Sequence, residues 1–200
     1  MATSSDFSDA VATLLAAFAA PAPTPAGGAA AALSAGVAAA LLVKVCTIAA
    51  RHAAAGALDE RRREAERLAH GLAALAVRDA TAFDAVLAAQ REGGEALTRA
   101  LHAATDTVLD VARSSAGVIA TCLAVAPAAR PATRSDVAVA ASLAWGALQG
   151  ATLTAHANLA GLASGPFVER GCTELDRLMA EGGEGLKRVL GALLEDVRGA

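Results

Sequence analysis

A carboxylate on an apolar helical face must find a partner, hold a ligand or take up a proton, because stripping water from the charge is costly. Asp79 stands in that position. If the chain around it is helical, Leu68, Leu72, Leu75, Phe83 and Val86 all lie within about 40° of it around the axis. Asp79 is therefore a candidate acid, base or cation partner. The plainer alternative is a structural carboxylate hydrogen-bonded to a neighbouring helix end. Asp84 falls about 140° away and reads as a solvated residue.

A second stripe centres on Asn158. Ala140, Ala147, Ala151, Thr154 and Asp136 share its side of a helix within about 40°. A groove floored by alanines, with an acid at one end and an amide and hydroxyl at the other, has room for a flat ligand. Close helix packing with a satisfied interior amide would leave the same pattern, and a place in the first turn explains Asp136 by the helix dipole alone. His156 lies on the opposite side with Ser142, Trp145, Gln149 and Thr152, a polar outer face or a subunit contact. The turn through Pro25 into Gly27-Gly28 is the third feature. Small residues opening a helix leave backbone N–H groups free to hold an anion such as a carboxylate.

Other chemistries lack their residues. Cys46, Cys122 and Cys172 stand far apart, so neither a disulfide framework nor a zinc site is signalled, and a reducing cytoplasmic setting is expected. His52, His70, His102 and His156 show no metal spacing, and no metal is expected. Arg99, His102, Asp106, Asp110 and Arg113 share one helical face and read as a solvated charge row. A net charge of −3 offers no basic field, which argues against a nucleic-acid partner.

The elements that must position these residues are helices. Alanine accounts for 58 of the 200 residues and aromatic residues for five, which disfavours strands and suits closely packed helices in one domain spanning 1–200. Turn residues divide the chain into about six mostly long antiparallel helices. The first runs from a Ser4 or Ser5 cap to about Ala20, stopped by Pro21, Pro23 and Pro25. The second runs from Gly27-Gly28 to about Ala55. Asp59 caps a third through Arg91, ended by Gly93-Gly94, and a fourth covers about Glu95 to Ala126. After a loop over 127–133, Ser135 caps a fifth to about Ala163. A last amphipathic stretch reaches Val197, with a weak point at Glu181-Gly182-Gly183. The uncharged run from Ala26 to Val43 is mostly alanine and reads as a buried core helix rather than a membrane span, and Asp6 and Asp9 argue against a signal peptide.

Several segments together resemble the cyclodeaminase/cyclohydrolase family, which includes the C-terminal domain of formiminotransferase-cyclodeaminase and stand-alone methenyltetrahydrofolate cyclohydrolases. The stretch from Phe18 through Pro21-Ala22-Pro23-Thr24-Pro25-Ala26-Gly27-Gly28-Ala29, continued by the Ala-rich helix, is similar to the family's opening. Asp79-Ala80-Thr81-Ala82-Phe83-Asp84 looks like its Asp-x-x-Ala-Phe-Asp segment, Ser135-Asp136 like its Ser-Asp, and Asn158-Leu159 like its Asn-Leu. The likeness covers about residues 6–198. Three departures stand out. The usual Gly-Gly-Gly-Ser is Ala26-Gly27-Gly28-Ala29, a Gly-Lys-rich segment becomes Ala49-Ala50-Arg51-His52-Ala53, and an Asn and an Arg are replaced by Thr154 and His156.

The resemblance implies an all-α homodimer with a tetrahydrofolate cleft near the glycine turn. It also implies chemistry on a C–N bond of a folate-linked one-carbon unit: cyclodeamination of the formimino form, or hydrolysis of the methenyl form. No prosthetic group is implied, only a tetrahydrofolate derivative as substrate. Asp79, Asp136 and Asn158 are then the expected catalytic residues, and Pro25, Gly27, Gly28, Phe83 and Thr154 the expected ligand contacts. The alternatives are a paralogue using the same cleft on a non-folate small molecule, and a non-catalytic ligand-binding protein.

Overall fold

A computed structural model describes residues 4–51 and 56–198, and among these every regular element is helical. Six α-helices follow one another: α1 (Ser4–Ala19), α2 (Gly27–Ala50), α3 (Asp59–Ala89), α4 (Gly94–Val125), α5 (Arg134–Leu159) and α6 (Pro166–Arg198). Two short 3-10 turns, Ala126–Ala128 and Pro131–Thr133, shape the α4–α5 connection expected as a plain loop. Proline 131 at the start of the second turn fits the rule that a residue without an N–H donor is tolerated there.

Helices α2 to α5 run alternately up and down as a four-helix bundle. Gly36 meets Leu72 while Gly28 meets Asp79, so α2 and α3 are antiparallel. Lys44 pairs with Asp136 at one end of α5 and Gly27 faces Thr154 at the other, which sets α2 against α5 in the same sense. Helix α6 fills the groove between α4 and α5. Alanine makes the bundle tight. Ala32, Ala35, Ala38 and Ala39 of α2 and Ala140, Ala141, Ala144 and Ala151 of α5 are fully enclosed, and Leu42, Leu72, Val108, Val118 and Leu148 fill the space between helices. Helices α2, α4 and α5 are each long and apolar enough to cross a membrane, and 44%, 56% and 44% of their apolar stretches are buried inside the bundle.

Several local expectations are corrected. Helix α3 begins at Asp59 itself and α5 one residue ahead of Ser135, so neither residue is the cap. Helix α2 ends at Ala50 with Arg51 as its C-cap, and positions 52–55 of its expected span, His52 included, fall outside the described residues. Gly182-Gly183 does not interrupt α6. Their missing side chains let α6 approach α5, since a Cβ on Gly182 would stand 2.6 Å from a Leu148 methyl and one on Gly183 would stand 3.3 Å from the Trp145 ring. Trp145 is half-buried against these glycines and Thr152 is buried, so the expected polar outer face of α5 is partly internal, while Ser142, Gln149 and His156 stay exposed. The α4 charge row ties helices together. Arg113 meets Glu174 of α6 through two hydrogen bonds of 2.8 and 2.7 Å, Asp110 takes bonds from Arg113 and Arg78, and His102 stacks on Phe167 at 4.0 Å. Both partners of the Arg113 pair keep contact with water, which limits its contribution to about 1 kcal/mol.

Candidate active site

The first turn of α2 sets the site. A helix start exposes N–H groups that need acceptors, and Ala26, at the cap position, has no side chain to supply one. The acceptor comes from α3. Asp79, only 7% exposed, takes the Ala29 amide on its carboxylate. Burial pushes the Asp79 carboxyl above its ordinary value, and the amide bond offsets part of that rise. The anion held at this helix end is thus the protein's own carboxylate. That carboxylate takes the Ala29 amide, one residue beyond the Gly27-Gly28 pair expected to hold a ligand's anion.

Gly28 makes the contact possible. A Cβ built there would sit 2.2 Å from Asp79 Oδ1 and 2.6 Å from its Cγ, distances no side chain can occupy. The glycine is needed for close approach, since α2 is regular at this point and no positive φ is involved.

Asp79 opens onto a cavity of about 340 Å³. Its walls include Gly27 and Gly28 of α2, Phe83 of α3, Ala104 of α4, and Thr154 and Asn158 of α5. Asp79 is the one ionisable residue among them. Four helices therefore converge on a small, mainly apolar chamber with an acid at one wall and an amide at another. Thr154 Oγ1 donates to the Gly150 carbonyl at 3.0 Å, so its hydroxyl is anchored to its own helix. The lone pairs of that oxygen remain to accept from a ligand.

Of the residues expected at the site, the structure brings together Asp79, Asn158, Gly27, Gly28, Phe83 and Thr154. Pro25 is half-buried in the preceding turn, where the Thr24–Pro25 peptide is cis, and it is not part of the cavity wall. Asp136 is not brought to the chamber. It shares a helical face with Asn158 but lies about 33 Å away along α5, where its Oδ2 accepts from Lys44 Nζ at 2.8 Å. Angular alignment ignores the axial rise, and the rise separates the two. Ala26, Ala104, Leu153 and Ala157 complete the wall. Nothing in their residue types distinguishes them from the other alanines and leucines, so only the packing of helices reveals them. Among the described residues no three His, Cys, Asp or Glu side chains converge as metal ligands would.

Fold and site together define an all-α up-and-down bundle domain with a buried acid, seated on a helix start, beside a small cleft. Residues 10–177 match the family described as formiminotransferase-cyclodeaminase, and the chain belongs to that family. It is 34% identical over 185 residues to the methenyltetrahydrofolate cyclohydrolase of Methylorubrum extorquens, a match covering 86% of this chain and 89% of the relative. Its fold superposes with a TM-score of 0.84 on the crystal structure of formiminotetrahydrofolate cyclodeaminase from Thermotoga maritima, at 24% identity and covering 98% of each chain.

Proposed function

We propose that this protein is an enzyme of folate one-carbon metabolism that hydrolyses the methenyl bridge of methenyltetrahydrofolate. The observation that carries the reading is the buried Asp79 carboxylate opening onto a cavity with no other ionisable wall residue. The relative's activity and the family membership support the substrate class. The bridge is an amidinium cation, and a poorly solvated acid attracts that charge. Water adds to the bridging carbon and passes a proton to Asp79, which is a stronger base for being buried. The protonated acid returns that proton to the departing ring nitrogen as the C–N bond breaks. The hydroxyl proton on the former bridge carbon leaves to solvent, giving the formyl group. Asn158 orients the attacking water or the developing carbonyl.

Loss of the methenyl chromophore, followed by absorbance, tests the reading directly. Turnover by the purified protein is expected. Absence of both turnover and calorimetric binding of folates would overturn it, and ammonia release from formiminotetrahydrofolate would assign the sister reaction instead. The acid limb of the pH profile is a second expected outcome. Activity needs the ionised base, so the rate falls as pH drops, with a midpoint above the ordinary carboxylate range of about 3.9 because burial raises the group. A midpoint at or below that range would remove Asp79 from the role.

The enzyme works as a homodimer in the cytoplasm, with a small molecule as its ligand and neither nucleic acid nor membrane as a partner. Support for self-association comes from α1, which stands apart from the bundle and presents Phe7, Val11, Leu14 and Leu15 to solvent while Phe18 packs on the core. Light scattering on the eluting protein should give twice the 19.7 kDa chain mass. A monomer at micromolar concentration would contradict it.

A further inference from the structure

The seven-residue turn 20–26 carries three prolines and makes no regular structure, yet it delivers Ala26 and Gly27 to the cavity wall and launches the helix whose Ala29 amide holds Asp79. Proline removes backbone donors, so such a turn depends on side chains to fix its place. Thr24 Oγ1 donates to Asp84 Oδ1 at 3.2 Å, spanning 60 residues of chain. Asp84 lies beside Phe83, a cavity wall residue, and five positions after Asp79 on the same helix. Its carboxylate is on the exposed side of α3, so this hydrogen bond does not belong to the core. One helix thus carries the acid, one cavity wall and the tether for the opposite wall.

We propose that Asp84 is a positioning residue: by accepting the Thr24 hydroxyl it fixes the proline turn against α3 and so sets the Gly27–Ala29 backbone relative to Asp79. The inference rests on the site geometry, with methenyltetrahydrofolate hydrolysis as one of its readouts. A half-ångström shift of the turn displaces both a wall of the cavity and the donor on the catalytic carboxylate, and catalysis responds steeply to such shifts.

The test compares Asp84→Ala, Thr24→Ala, their double variant, Asp84→Asn and Thr24→Ser in the full-length protein. Asp84→Ala and Thr24→Ala should each lower kcat/KM roughly two- to tenfold, the reach of one ordinary hydrogen bond, since water screens the Asp84 charge at this exposed site. The double variant should be no worse than either single one, because the two residues act as a pair. Asp84→Asn keeps an acceptor and Thr24→Ser keeps a donor, so both should stay close to wild type. Amide hydrogen exchange over residues 26–30 should quicken in Asp84→Ala, with the melting temperature little changed because the bond is exposed. Wild-type kinetics and exchange in Asp84→Ala would overturn the proposal. So would a loss that Thr24→Ala does not share or Asp84→Asn does not rescue, since the carboxylate would then be acting on substrate itself. If the wild-type enzyme turned over no folate, the function reading would fail separately, and the exchange comparison alone would decide this one.

Discussion

Asp79→Asn should yield a folded protein that turns over methenyltetrahydrofolate roughly 10²–10⁴-fold more slowly, the range lost when a general base is removed. The amide keeps the size of the carboxylate and its carbonyl still accepts the Ala29 N–H, so the start of α2 stays capped. What disappears is the ability to take a proton from water and the attraction for an amidinium. The same substitution should make the protein more stable at neutral pH. The Asp79 pKa is raised in the folded state, so folding binds a proton more tightly than the unfolded chain does. That contribution is fully present below the unfolded value, and it is lost as pH rises through the folded one. Above it, the buried charge is a net cost that asparagine does not carry. Circular dichroism melts at pH 7 should therefore place the variant above wild type, while absorbance assays place it far below. A variant that retains more than a tenth of wild-type activity would remove Asp79 from catalysis. One that loses both activity and stability would mark the carboxylate as structural.

Gly28→Ala is expected to cost nearly as much activity through a different route. The added Cβ falls within 2.7 Å of three carboxylate atoms of Asp79, and none of the three can yield without turning the side chain away from the Ala29 amide. Displacing the base by an ångström should lower kcat/KM by roughly 10²-fold. Overpacking at an enclosed site should lower stability by about 1–3 kcal/mol. A double-mutant cycle isolates the cause. In an Asp79→Ala background the clash has lost its partner, so Gly28→Ala should then cost well under 1 kcal/mol. Equal destabilisation in both backgrounds would show that Gly28 serves the helix backbone rather than the acid.

The fold class was readable from residues alone because alanine abundance and proline and glycine punctuation act locally. A proline run must stop α1, and Gly93, at φ 69°, must turn the chain between α3 and α4. Asp79 was also readable, since burying one face of a helix is a periodic property and that residue breaks the period. Its neighbour Asp84 was not. Angular position gave it to solvent, correctly, but said nothing of a hydroxyl 60 residues away. Asp136 failed in the opposite sense: helical angle placed it with Asn158, and distance along the axis separated them.

What the sequence determined by itself is therefore the set of helices, their apolar faces and the presence of one acid on the wrong side of one of them. Those follow from interactions over a few residues, where the geometry of a helix is known in advance. Only the tertiary structure decided what that acid touches. The Ala29 amide, the gap left by Gly28 and the walls from α4 and α5 come from segments as much as 130 residues apart. Their meeting depends on how alanine-lined helices close against each other, a property of packed surfaces that no single stretch of chain contains.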